Sequence, residues 1–198
     1  NMQGFGVFLL VFFIALHHNI LEINCLPYYW RDYDGVLPWD AFPAGQDQNE
    51  QPIYIGQTLY GATLLPSKIY SNDDKAYYTW GGELSSKENV KILCTQHPEQ
   101  LEWISTTKDG LHSLINKSLV KGGYEAYYDL YIGRGFHKMQ TLVGRVRAGA
   151  TANLNLGLYV SVPEKEVLMD SFEVLAYDPE GNYTDTAHCA KDLLIVKS

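Results

Sequence analysis

The chain of 198 residues carries 15 Lys and Arg against 23 Asp and Glu, a formal charge of −8, with 46% hydrophobic and 19% charged residues. That composition supports a packed core and argues against intrinsic disorder, and the negative balance argues against nucleic acid or an anionic membrane as partner. Fifteen tyrosines and 17 glycines point to β-structure with many turns.

The first stretch, Gly4–Leu16, is GFGVFLLVFFIAL, 13 residues without a charge. It is short for a bilayer span and has the length of a signal-peptide hydrophobic region. Residues 1–25 are therefore expected to be a signal peptide, although the first basic residue is Arg31. The mature protein is then secreted and extracellular, with no membrane span after signal removal. Of the three cysteines, Cys25 falls at the expected cleavage region, leaving Cys94 and Cys189. These two either pair or remain buried free thiols. Cysteines so far apart do not form a zinc site, so no metal is expected. Two sequons, Asn116-Lys-Ser118 and Asn182-Tyr-Thr184, fit glycosylation of a secreted chain.

Beyond the signal, Tyr28–Gly45 contains Trp30, Gly35, Pro38 and Pro43, which predict a short strand followed by a loop. Strands are then predicted over Ile53–Thr58, Ala62–Tyr70, Ala76–Trp80 and Asn89–Cys94, with Pro66 at an edge or bulge. The second half is predicted to hold strands over Gln100–Ile104, Tyr127–Gly133, Thr141–Arg147, Leu156–Val162 and Asp170–Tyr177. A tail over residues 178–198 ends in an apolar stretch, Leu193–Val196.

These halves are degenerate copies. Shifting IYIGQTLYGATLLPSK (Ile53–Lys68) by 77 positions sets it on LYIGRGFHKMQTLVGR (Leu130–Arg145), with Tyr54 on Tyr131, Gly56 on Gly133 and Lys68 on Arg145. Further on, Val90–Leu93 falls on Phe172–Leu175 at an offset of 82. An insertion around Pro163–Glu166 accommodates the five extra positions. The first repeat is assigned to residues 26–96 and the second to 97–177, with Trp30 and Trp103 as equivalent core aromatics. A module of about 75 residues buries apolar surface inefficiently alone. The expected architecture is therefore all-β: two tandem β-repeats packed as one pseudo-two-fold β-sandwich-like domain.

The ordered series resembles the DM-nine repeat family of invertebrate proteins. The residues that carry it are Trp30, Gly35, Pro38, Gly45 and Asp47, then Tyr54-Ile-Gly56, Pro66-Ser-Lys-Ile69 and Trp80-Gly-Gly-Glu83. In the second copy they are Gly122-Gly123, Tyr131-Ile-Gly-Arg134, His137 and Gly144-Arg-Val146. Where the family has Arg and His in its first repeat, this chain has Gln57 and Tyr60. The resemblance implies a mannose-binding, lectin-like protein of innate immune recognition that forms a homodimer. It also implies carbohydrate contacts at Asp47 and Lys68, 21 positions apart. A carboxylate accepts from vicinal sugar hydroxyls while an ammonium donates to their oxygens. In the second repeat the corresponding positions are read as Tyr124 and Arg145, a weaker second site.

Catalytic chemistry has little support. No H-E-x-x-H, G-x-S-x-G or glycine-rich phosphate loop occurs. No enzyme activity and no cofactor is expected. The alternative to a glycan as partner is a secreted protein-interaction component that binds no sugar.

Overall fold

The structure, a computed structural model, describes residues 26–114, 117–149 and 156–178. Fourteen strands occur in these residues. The first repeat supplies β1 (Tyr29–Asp32), β2 (Pro43–Gln46), β3 (Pro52–Tyr60), β4 (Thr63–Tyr70), β5 (Ala76–Thr79), β6 (Glu83–Ser86) and β7 (Val90–Cys94). The second supplies β8 (Leu101–Thr107), β9 (Lys121–Glu125), β10 (Tyr128–His137), β11 (Gln140–Ala148), β12 (Gly157–Val162), β13 (Lys165–Met169) and β14 (Ser171–Tyr177). The only helical turns among the described residues are 3-10 turns at Pro98–Gln100 and Gly110–Leu114. No helix among them is long and apolar enough to cross a membrane.

All the pairings are antiparallel, and six strands close a ring. β3 pairs β2, β2 pairs β11, β11 pairs β10, β10 pairs β9, β9 pairs β4, and β4 returns to β3. Closing a sheet removes its exposed edges. Here the closure needs both repeats, because the β2–β11 and β9–β4 joints are each made between copies. Those joints demand very close backbones. A Cβ on Gly45 would collide with the Thr141 carbonyl, and one on Gly123 with the Leu64 carbonyl. The glycines of the Gly-x-acid segments are therefore fixed by the inter-repeat crossing.

The registers confirm the duplication strand by strand. Ile55 pairs Lys68 as Ile132 pairs Arg145, and Lys68 pairs Tyr77 as Arg145 pairs Tyr159. Trp30 pairs Leu93 as Trp103 pairs Leu175. Both tryptophans are partly buried against the main core. That core mixes Ile53, Ile55 and Leu93 of one copy with Leu142, Val146 and Val174 of the other.

Four strands escape the sequence pattern: β2, β6, β9 and β13. They are symmetry mates in pairs, each only four or five residues long. PAGQ, ELSS, KGGYE and KEVLM show no clean apolar alternation because their partners, not their own propensity, make them strands. The five extra positions of the second copy also lie elsewhere than expected. Tyr77 and Tyr159 are equivalent at an offset of 82, so the insertion precedes β12, in the connection from Ala148 to Gly157. Pro66 is buried in the middle of β4. It is tolerated because β4 pairs β9 at Leu64 and β5 from Lys68 onward, so Pro66 occupies the gap between those partners.

Candidate functional site

The acid of each repeat sits at the end of β2 or β9, in the turn leading to the next strand. Gln46 pairs Pro52 in the first repeat and Tyr124 pairs Asp129 in the second. Pro52 and Asp129 are equivalent, so Gln46 corresponds to Tyr124 and Asp47 to Glu125. The first-repeat turn is one residue longer, which changes the offset from 77 to 78. The second-repeat acid is thus Glu125, and Tyr124 is its neighbour.

In the first repeat Lys68 is fully buried. Its Nζ lies 3.0 Å from Glu83 Oε2 and donates to the Ser161 carbonyl at 2.5 Å. It also stands 5.2 Å from the centre of the Tyr70 ring. Burial pulls the Lys68 ammonium below the ordinary lysine range, and Glu83 opposes that shift. The Tyr70 hydroxyl is pushed up to about 12, first by burial and then by the charges of Glu83, Asp47 and Asp73. Tyr70 therefore joins the two sequence-predicted contacts in one electrostatic neighbourhood. Asp47 Oδ1 accepts the backbone N–H groups of Asn49 and Gln51, both at 2.8 Å. This Asx-type bonding holds the turn.

The second repeat builds the same arrangement with more ion pairs. Arg145, also buried, lies 3.3 Å from Glu125 and 3.2 Å from Glu166. Glu166 is the symmetry mate of Glu83. Arg147, the mate of Tyr70, lies 2.6 Å from Glu125 and stacks 4.4 Å from the Tyr128 ring. Each buried cation also reaches the other copy. Lys68 bonds Ser161, and the Arg145 guanidinium lies 5.6 Å from the Trp80 ring. Both cations are therefore occupied within the protein, and Lys68 presents no ammonium to solvent.

What is open to solvent lies beside Glu125. A groove of about 600 Å³ is lined by Tyr124, Tyr127, Tyr128, Tyr131, Glu125 and Asp129 among others. Tyr124 is half exposed and Tyr127 is 88% exposed. Rings with hydroxyls, set beside carboxylate acceptors, offer stacking faces and hydrogen bonds to a polyhydroxylated ligand. The first repeat has Gln46, Gln51 and Tyr54 where the second has Tyr124, Tyr128 and Tyr131, and so lacks two of these rings. Sequence reasoning missed Glu125, Tyr127 and Tyr128. Aligning Gly45-Gln46-Asp47 on Gly123-Tyr124-Glu125 identifies the acid.

Cys94 is a free, buried thiol, pushed up to about 12 by burial and by Asp40. Cys189, Asn116 and Asn182 lie outside the described residues. Among the described residues no group of three or more His, Cys, Asp and Glu is placed to hold a metal ion.

Fold and site define a tandem-repeat all-β protein in which two acid–base clusters are related by an internal two-fold. The model of the DM9 repeat matches this chain over residues 17–83 and 47–157, and the chain belongs to the DM9 repeat family. Among solved structures it is similar to the nematode sperm cell motility protein MFP2B, with a TM-score of 0.55 and 10% identity. That likeness covers 82% of this chain and 50% of MFP2B, so the chain spans about half the length of that relative, and the similarity is one of fold. No curated protein matches the sequence.

Proposed function

We propose that this protein is a secreted, non-enzymatic lectin-like protein that binds mannose-type glycans, as a homodimer, in innate immune recognition. The observation behind this reading is the tyrosine-lined groove beside Glu125, which joins aromatic faces to carboxylate acceptors. Stacking of a hexose on an exposed ring such as Tyr127, with hydroxyls donating to Glu125 or Asp129, needs no metal. The Asp47 turn is the corresponding position of the first repeat and a second contact for the same glycan class. Lys68 serves it indirectly, by ordering Tyr70 and Glu83.

The test is retention on mannose-agarose, elution by free mannose, and a glycan array. Tyr127→Ala and Tyr124→Ala change exposed side chains and are expected to weaken retention while the fold survives. Asp47→Ala is expected to weaken it. A wild-type protein that binds no glycan on the array overturns the reading in favour of a protein partner. Among the described residues β6, β8 and β13 each pair on one side only, and such sheet edges suit that second reading.

A further inference from the structure

The two copies differ in charge on the face formed by β8, β14 and the β10–β11 hairpin. There, Arg134 of the second repeat stands where the first has Gln57, Phe136 where it has Leu59, and Glu173 where it has Lys91. The Arg134 guanidinium lies 4.3 Å from the Trp103 ring centre, and its Nε donates to Glu173 Oε2 at 2.6 Å. A groove of about 350 Å³ opens above this pair, lined also by Ser105, Thr141, Ser171 and Phe136. Phe136 is 72% exposed, although it lies within a strand of the closed ring.

The chemistry of this groove narrows its occupant. Arg134 is already neutralised by Glu173, so a free anion gains little from it, and for the same reason a cation gains little from Glu173. A wholly apolar ligand would strip water from the hydroxyls that line the groove and give nothing back. A neutral polyhydroxylated ligand fits each feature. Its hydroxyls donate to the remaining lone pairs of Glu173 and exchange bonds with Ser105, Thr141 and Ser171, while its C–H face lies on the Phe136 ring. The volume is of the size taken by one sugar ring with its ordered water.

We propose that this groove is a separate saccharide subsite, distinct in position and residues from the tyrosine groove. It deepens the lectin reading and depends on that reading for the class of ligand, while drawing on none of the same side chains. The probes are mannose and a linear mannotriose, followed by calorimetry for stoichiometry and by NMR for the residues perturbed. Wild-type protein is expected to show a site in this groove beside that of the tyrosine groove. Phe136→Ala, at an exposed position, should weaken one of them by about tenfold and leave the other unchanged. Glu173→Gln should do the same, and Tyr127→Ala should remove only the other. If Phe136→Ala and Glu173→Gln leave stoichiometry and affinity as in the wild type, the subsite does not exist, whatever Tyr127→Ala does. If binding survives Tyr127→Ala but not Phe136→Ala, this subsite stands and the tyrosine groove is the assignment that falls. Absence of any sugar binding removes both.

Discussion

Gln57 and Arg134 make the same hydrogen bond in opposite directions across the molecule. Gln57 Nε2 donates to the Gly122 carbonyl at 2.8 Å, and Arg134 Nη1 donates to the Ala44 carbonyl at 3.2 Å. Ala44 and Gly122 are themselves symmetry mates, each just before the glycine at the inter-repeat joint. The family arginine is therefore replaced in the first repeat by a residue that keeps the cross-repeat bond and drops the charge.

Gln57→Ala leaves the Gly122 carbonyl without its donor inside the ring. An unsatisfied buried acceptor costs about 1–3 kcal/mol. Thermal or urea unfolding is expected to show a loss in that range, and Gln57→Glu, which has no donor, should lose at least as much. An unchanged midpoint for both variants would count against the bond.

Gly45→Ala and Gly123→Ala should be among the most damaging single substitutions in the chain. Each added methyl meets a carbonyl oxygen of the other repeat, Thr141 or Leu64, so the strand joint itself must open. Losses beyond about 4 kcal/mol are expected, in the exceptional range for point mutants. Gly61→Ala has open space around it but a φ of +59°. It should cost only about 1 kcal/mol. Soluble yield and unfolding midpoints of the three variants give the comparison.

Lys68 and Glu83 form a buried pair at 3.0 Å. Breaking one side of such a pair costs about 3–5 kcal/mol, because a charge is left buried without its partner. Glu83→Ala is therefore expected to be strongly destabilising, and Lys68→Met combined with Glu83→Leu to recover much of the loss. Additivity of the two single changes, measured in a double-mutant cycle, would show that the pair is not coupled.

Alkaline unfolding carries a signature of Tyr70. Its native pKa is raised to about 12 from an ordinary value of 10.0, so the native state holds a proton that the unfolded chain gives up. That contribution is fully present below pH 10 and is lost as pH rises toward 12. Lys68 acts in the other direction, since its native pKa is lowered from 10.5. Its contribution improves as pH rises from that lowered value toward 10.5. Tyr70→Phe is expected to flatten the stability loss between pH 10 and 12, read by chemical unfolding at each pH.

Cys94, fully buried with its pKa pushed up to about 12, should resist thiol reagents in the folded protein at pH 8. Unfolding should expose it. If it stays unreactive in denaturant without reductant and reacts once reductant is added, the free-thiol assignment falls and Cys94 is held in a disulfide in that preparation.

Much of this protein is legible in its sequence. The 77-residue shift, the alternating strands around Tyr54-Ile-Gly56 and Tyr131-Ile-Gly133, and the equivalence of Trp30 with Trp103 all follow from local pattern, because side-chain period and turn residues are local properties. The strands that close the molecule and carry the acids do not. β2, β6, β9 and β13 are short and poorly patterned, and they form only because a partner strand is already in place. The position of Glu125, the burial of Lys68 and the two cation contacts that cross between repeats depend on the ring being closed. A one-residue difference in a turn moved the second acid from position 124 to 125, and the hydrogen-bond register, set by the whole sheet, counts it.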